Sequence, residues 1–200
     1  DLKPLIDEPA DPVPAPSGPV GIELDRVTFS YPAADKVSLA SLEEVATLDT
    51  RGGELVLRDV SFTVEPGQVV ALVGSSGSCK STVASLIPRL YDTDAGSVKI
   101  GGVDVRRLSF DDLRSTIGVV TQDGHLFHDT VAENLRYADP SATDAELWEV
   151  LRKVRLDVLI ASLPDGLSTV VGDRGYRFSG GERQRLTIAR LLLAKPRVVI

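Results

Sequence analysis

Val69-Val70-Ala71-Leu72-Val73-Gly74-Ser75-Ser76-Gly77-Ser78-Cys79-Lys80-Ser81-Thr82 decides the fold of this chain. The five apolar residues follow the turn Glu65-Pro66-Gly67 and precede a glycine loop, so they read as a strand buried on both faces. From Lys80 to about Ile87 the apolar positions Val83, Leu86 and Ile87 recur at helical spacing. Strand, glycine loop and helix in that order give the context in which G-x-x-x-x-G-K-[ST] denotes a phosphate cradle rather than a tight turn. The N–H groups of Gly74, Ser75, Ser76, Gly77 and Ser78 would form the concavity. Lys80 would reach the β- and γ-phosphates of a nucleotide, and the Ser81 hydroxyl, next to Thr82, would hold Mg²⁺. Cys79 departs from the pattern, because it stands where glycine precedes the lysine. A side chain there enters space the backbone needs for close approach and forfeits glycine's dihedral freedom. The expectation is weakened nucleotide binding; the alternative is a tolerated small residue.

A second motif lies far down the chain, in Phe178-Ser179-Gly180-Gly181-Glu182-Arg183-Gln184-Arg185. Ser179 with Glu182 three positions on is a capping box. The helix it opens carries Leu186, Ala189 and Leu193 on one side and Arg183, Thr187 and Arg190 on another, as a half-buried helix does. Its N-terminal amides and positive dipole end also suit an anion. Capping and anion contact are compatible, and the chain's own phosphate loop lies elsewhere, so this turn is expected to serve a nucleotide held by another subunit.

Composition sets the outer limits. Two hundred residues with 42% apolar side chains suit one domain, or one domain with a lobe. A net charge of -7, from 22 basic and 29 acidic residues, argues against nucleic acid as the main partner. Apolar runs stop at about five residues, far short of the ~20 that a bilayer helix needs. The single cysteine excludes an internal disulfide.

Residues 1–20 hold six of the twelve prolines and read as a stiff, solvated linker. Residues 22–29 and 55–64 carry strand patterns that pair antiparallel. The intervening 32–53 insertion has Leu39, Leu42 and Val45 at the spacing of a short helix. Residues 98–105 form a short strand pair, 110–115 a helical turn or two, and 117–120 a buried strand ending at Gln122. From Thr130 to Leu163 the signals are helical, including a capping box at Thr143 and Glu146. After Lys195-Pro196 the strand Arg197-Val198-Val199-Ile200 begins.

With these motifs in this order, the chain resembles the nucleotide-binding domain of an exporter-type ATP-binding-cassette transporter. The resemblance implies an α/β fold, a P-loop NTPase (RecA-like) core with an antiparallel β subdomain and an inserted helical subdomain. Residues 1–20 would be a linker from a transmembrane domain. The core would take about 21–124 and 186–200, and the helical subdomain about 125–185. Tyr31 matches the family's adenine-stacking aromatic, with a strand-end core tyrosine as the alternative. Gln122, in Val120-Thr121-Gln122-Asp123, matches the glutamine loop, whose side chain approaches Mg²⁺ and the attacking water. Residues 169–175 are similar to the exporter loop that meets the coupling helices of the membrane domain. Ser179, Gly180, Gly181 and Glu182 match the signature, here with Phe178 and Glu182 where Leu and Gln are usual, and would complete ATP bound by an opposing subunit. His125 and His128 read as surface residues.

The implied cofactors are ATP and Mg²⁺. The implied partners are a second nucleotide-binding domain, as homo- or heterodimer, and the coupling helices, with no nucleic acid. The implied location is the cytoplasmic face of the cell membrane. In the family the Mg²⁺ aspartate and the water-polarising glutamate follow the strand that begins at Arg197, so residues 1–200 alone are expected not to hydrolyse ATP even if the parent is an ATPase. A non-catalytic subunit that lends its signature to a competent partner is the alternative. A soluble cassette acting on chromosomes or translation is opposed by the linker and the 169–175 loop.

Overall fold

The computed structural model describes residues 6–32, 53–121, 124–172 and 175–200. The 32–53 insertion, apart from its ends, lies outside the described residues, and so do Gln122, Asp123, Asp173 and Arg174. The chain divides into two compact units, Asp1–Arg114 and Ser115–Ile200.

In the first unit, β1 (Ile22–Ser30) is central to an antiparallel sheet with β2 (Leu55–Val64), β3 (Ala95–Ile100) and β4 (Val103–Asp104), in the order β2-β1-β3-β4. β1 buries Ile22 and Leu24, then Val27 and Phe29. That sequence of positions breaks the period of two. A bulge at Asp25-Arg26 restores it: the register shifts against both neighbours there, and Arg26 adopts φ 49°. Gly96 lies against the bulge, where an added Cβ would stand 2.3 Å from the Arg26 carbonyl oxygen. Helix α1 (Lys80–Leu86) buries Thr82, Val83 and Leu86, as its spacing predicts.

Val69–Val73 does not form the expected buried strand. Val69 is 97% exposed and Val73 91%, and no strand pairs with the segment among the described residues. An apolar run becomes a buried parallel strand only where neighbours complete its ladder and layers cover both faces. Hydrophobicity supplies neither, and the strands of this unit are committed to the antiparallel sheet. The linker reading is also corrected in part. The Val13 amide donates to the Arg107 carbonyl at 2.9 Å, the Glu8 carboxylate accepts from the Phe110 amide at 2.8 Å, and Val20 is buried. The segment is anchored at intervals rather than fully solvated.

Helix α2 (Phe110–Thr116) leads into the second unit. There β5 (Ile117–Gly118) pairs in parallel with β6 (Val198–Val199). Gly118 is required by close approach, since a Cβ would meet Leu191 Cδ1 at 2.1 Å. The rest is helical: α3 (Val131–Arg136), α4 (Asp144–Lys153), α5 (Asp157–Ser162) and α6 (Gly180–Ala194). Their core includes Leu135, Leu147, Leu151, Ile160 and Leu186. The Thr143–Glu146 capping box starts α4.

Candidate functional site

The phosphate loop is shaped by its glycines and held by its lysine. A Cβ at Gly74 would lie 2.5 Å from Ser78 Oγ and force that hydroxyl to turn away, and Gly77 sits at φ 82°. The Ser78 amide donates to the Ser75 carbonyl at 3.2 Å, closing the turn. Lys80 Nζ donates to the Gly74 carbonyl at 2.9 Å, the Ser75 carbonyl at 2.7 Å and Ser78 Oγ at 2.9 Å. All three ammonium donors are thereby engaged by oxygens of the loop itself. Ser81 is exposed at the start of α1.

Cys79 is the N-cap of α1 and holds φ 60°, ψ 21°, the left-handed region. Its Sγ turns back to within 3.4 Å of the Gly77 carbonyl oxygen. The loop therefore keeps a conformation suited to glycine while carrying a β-carbon, at about 1 kcal/mol of strain.

Tyr31 joins the strand sheet to this loop. Its hydroxyl is 2.9 Å from Thr82 Oγ1, and its ring packs edge-on against Phe29 at 5.0 Å and Tyr91 at 5.3 Å. The ring is partly exposed beside the loop. Tyr91 escapes sequence reading because no local pattern links it to Tyr31; the strand and the segment after α1 bring them together.

In the second unit Ser179 caps α6. Its Oγ accepts from the Glu182 amide at 3.3 Å, and Glu182 Oε2 accepts from the Ser179 amide at 2.7 Å. The Ser179 amide holds the Glu182 carboxyl below its ordinary value, with help from the Ser179 hydroxyl. Gly180 and Gly181 face open space, with nothing within 4 Å of an added Cβ. Their smallness serves no contact among the described residues, although glycine weakens a helix by about 1 kcal/mol relative to alanine.

The segment before α3 is tied to α6 by two side chains that sequence reading missed. Asn134, 1% exposed, donates to the carbonyls of Phe127 at 3.0 Å and Thr130 at 2.9 Å, and accepts from the Phe127 amide at 2.9 Å. Arg190 donates to the carbonyls of Asn134 and His125, each at 2.7 Å, and to Asn134 Oδ1, with its guanidinium 5.6 Å from the Phe127 ring centroid. Burial lowers the Arg190 pKa from the ordinary arginine value. The available signal was an asparagine on the buried side of α3, between Val131 and Leu135. Phe127, Asn134, Tyr137 and Pro140 line a groove of about 290 Å³, with Tyr137 72% exposed. His125 and His128 are exposed.

The comparison with known families decides what these parts belong to. The family described as ABC transporter matches residues 57–200. The chain belongs to the ABC transporter family. Membership implies a P-loop NTPase fold. This ABC domain is 40% identical over 200 residues to the multidrug efflux ATP-binding/permease protein Rv0194 of Mycobacterium tuberculosis, covering 100% of this chain and 15% of that protein. It is 44% identical over 176 residues to the mitochondrial iron-sulfur clusters transporter ATM1 of Candida glabrata, covering 88% of this chain and 22% of the relative. Among solved structures, it resembles a bacterial Atm1-family ABC exporter with ATP bound, at 33% identity and a TM-score of 0.81, over 97% of this chain and 31% of the other. The ABC domain thus spans about a fifth or less of the curated relatives it matches. No helix among its described residues is long and apolar enough to cross a membrane.

Proposed function

We propose that this chain is the ATP-binding motor domain of a membrane exporter, working at the cytoplasmic face as one of two such domains. The observation that carries this reading is the loop in which Lys80 Nζ is directed at the Gly74 and Ser75 carbonyls and Ser78 Oγ while Tyr31 is bonded to Thr82. In this reading Tyr31 stacks on adenine, the amides of residues 74–80 take the phosphates, and Lys80 exchanges its loop acceptors for the β- and γ-phosphate oxygens. Ser81 and Gln122 would hold Mg²⁺, which supplies charge neutralisation during phosphoryl transfer, and Gln122 would orient the attacking water. Ser179, Gly180, Gly181 and Glu182 complete a nucleotide site on the opposing domain, supported by the unoccupied space beside both glycines. The groove beside Tyr137 and the loop at 169–175 would receive the coupling helices. Residues 1–20 would lead from the membrane domain, with the core at about 21–124 and 186–200 and the helical subdomain at about 125–185.

ATP titration of the 200-residue chain checks this. Saturable binding is expected, weakened about tenfold or more in Lys80→Ala as one charge-assisted phosphate contact is lost, with no turnover above background. Equal affinity in both forms, or Mg²⁺-dependent turnover abolished by Lys80→Ala, would contradict the respective parts.

The left-handed backbone at Cys79 favours a second reading, in which this domain binds nucleotide poorly and mainly lends its signature to a competent partner.

A further inference from the structure

Helix α1 ends on an arginine where a glycine is expected. The Arg89 amide donates to the Leu86 carbonyl at 3.1 Å and the Leu90 amide to the Ser85 carbonyl at 3.0 Å, the bond pair of a Schellman cap. Arg89 holds the left-handed position, at φ 56°. Its side chain is only 5% exposed. Nε donates to Asp92 Oδ1 at 2.7 Å, and Nη2 donates both to Asp92 Oδ2 at 3.1 Å and to the Asp7 carbonyl at 2.9 Å. The guanidinium lies 5.5 Å from the Phe110 ring centroid, and the Phe110 amide is held by Glu8 at 2.8 Å. A planar, permanently charged fork thus joins the end of α1 to the N-terminal segment at Asp7, and Glu8 holds the backbone of Phe110, whose ring lies beside that fork. Arg155 and Lys195 hold the same left-handed conformation at helix ends, so what sets Arg89 apart is its buried, hydrogen-bonded guanidinium.

We infer that Arg89 is a positioning residue that makes the phosphate loop sensitive to the placement of the N-terminal segment. The inference rests on the nucleotide reading of Gly74–Thr82. Helix α1 is about 10 Å long and is fastened at both ends, by the Tyr31–Thr82 bond near Lys80 and by the Arg89 clamp beyond Leu86. So short and rigid a body passes a displacement at one end to the other. Movement of residues 7–8 pulls on the clamp, shifts the cap and tilts the first turn, which bears Lys80 and Ser81. The fork is needed because a lysine in its place supplies a point charge that cannot bridge Asp92 and the Asp7 carbonyl in one plane.

The test uses the whole chain and its Arg89→Lys, Arg89→Met, Glu8→Ala and Glu8→Ala/Arg89→Met variants, each checked for a folded melting transition. Amide hydrogen exchange of Val13 and Phe110 is read with and without ATP, together with the ATP dissociation constant. In the unaltered chain ATP is expected to slow exchange at both amides about threefold or more. Arg89→Met is expected to remove that response and weaken ATP binding about fivefold, Glu8→Ala to weaken it about twofold, and the double variant to match Arg89→Met, since contacts in one network do not add. Arg89→Lys should restore folding stability without restoring the ATP response. Failure of the unaltered chain to bind ATP would overturn the nucleotide reading and the relay with it. Normal ATP binding with Val13 and Phe110 unresponsive, with additive effects of Glu8 and Arg89, or with a full response in Arg89→Lys, would overturn the relay alone.

Discussion

At the scale of single residues, Cys79 is where the departure from the glycine pattern takes physical form. The motif predicted that a side chain before Lys80 would disturb the loop, and the backbone at φ 60° identifies the dihedral part of that disturbance. Gly at this position releases the left-handed penalty, offset in part by greater freedom of the unfolded chain. Cys79→Gly is therefore expected to tighten ATP binding by a few fold and to change unfolding stability by no more than about 1 kcal/mol, measured by equilibrium titration and denaturant melts. Equal dissociation constants would show that the thiol is tolerated. Tyr31 illustrates the complementary case, in which the sequence indicated an aromatic at a strand end but its bond to Thr82 depended on where α1 lies relative to β1.

At the scale of elements, most helices announced themselves through caps and spacing, and the capping boxes of α4 and α6 were legible to the residue. Those signals are local, arising within one turn. The Asn134–Arg190 network joins residues 56 positions apart and could not be read that way. Removing the Asn134 amide takes the acceptor from the Phe127 amide and from Arg190 Nη2, while the Phe127 and Thr130 carbonyls keep the backbone amides of Asp129 and Asn134. Asn134→Ala is expected to destabilise the chain by about 1–3 kcal/mol, the scale of leaving a hydrogen-bonding partner of a buried side chain unmet. Chemical denaturation checks the magnitude. A loss below about 0.5 kcal/mol, within the range of surface changes, would show that the segment from His125 to Thr130 is not held by this amide.

At the scale of the whole molecule, the proposed division of the site between two domains makes the signature separable from this chain's own loop. Gly181 faces open space, and an acidic residue in the first turn of α6 suits the helix dipole. Gly181→Asp should therefore fold as well as the unaltered chain and bind ATP at its own loop within about twofold. In a mixed dimer with a hydrolysis-competent cassette domain, the same change should lower the partner's turnover about a hundredfold, the scale of losing one aligned donor and adding a repelling charge. Unchanged turnover of the partner would remove Ser179–Glu182 from the trans site. The sequence by itself determined the family, the capping boxes of α4 and α6 and most of the strands and helices, because each rests on short-range chemistry: dihedral freedom, capping and periodic apolar faces. Only the tertiary structure decided that Val69–Val73 lies exposed, that Tyr31 meets Thr82 and Tyr91, that Asn134 meets Arg190, and that the N-terminal segment is clamped by Arg89. These depend on which distant backbone groups remain to be paired once the local elements have formed, and no local pattern encodes that remainder.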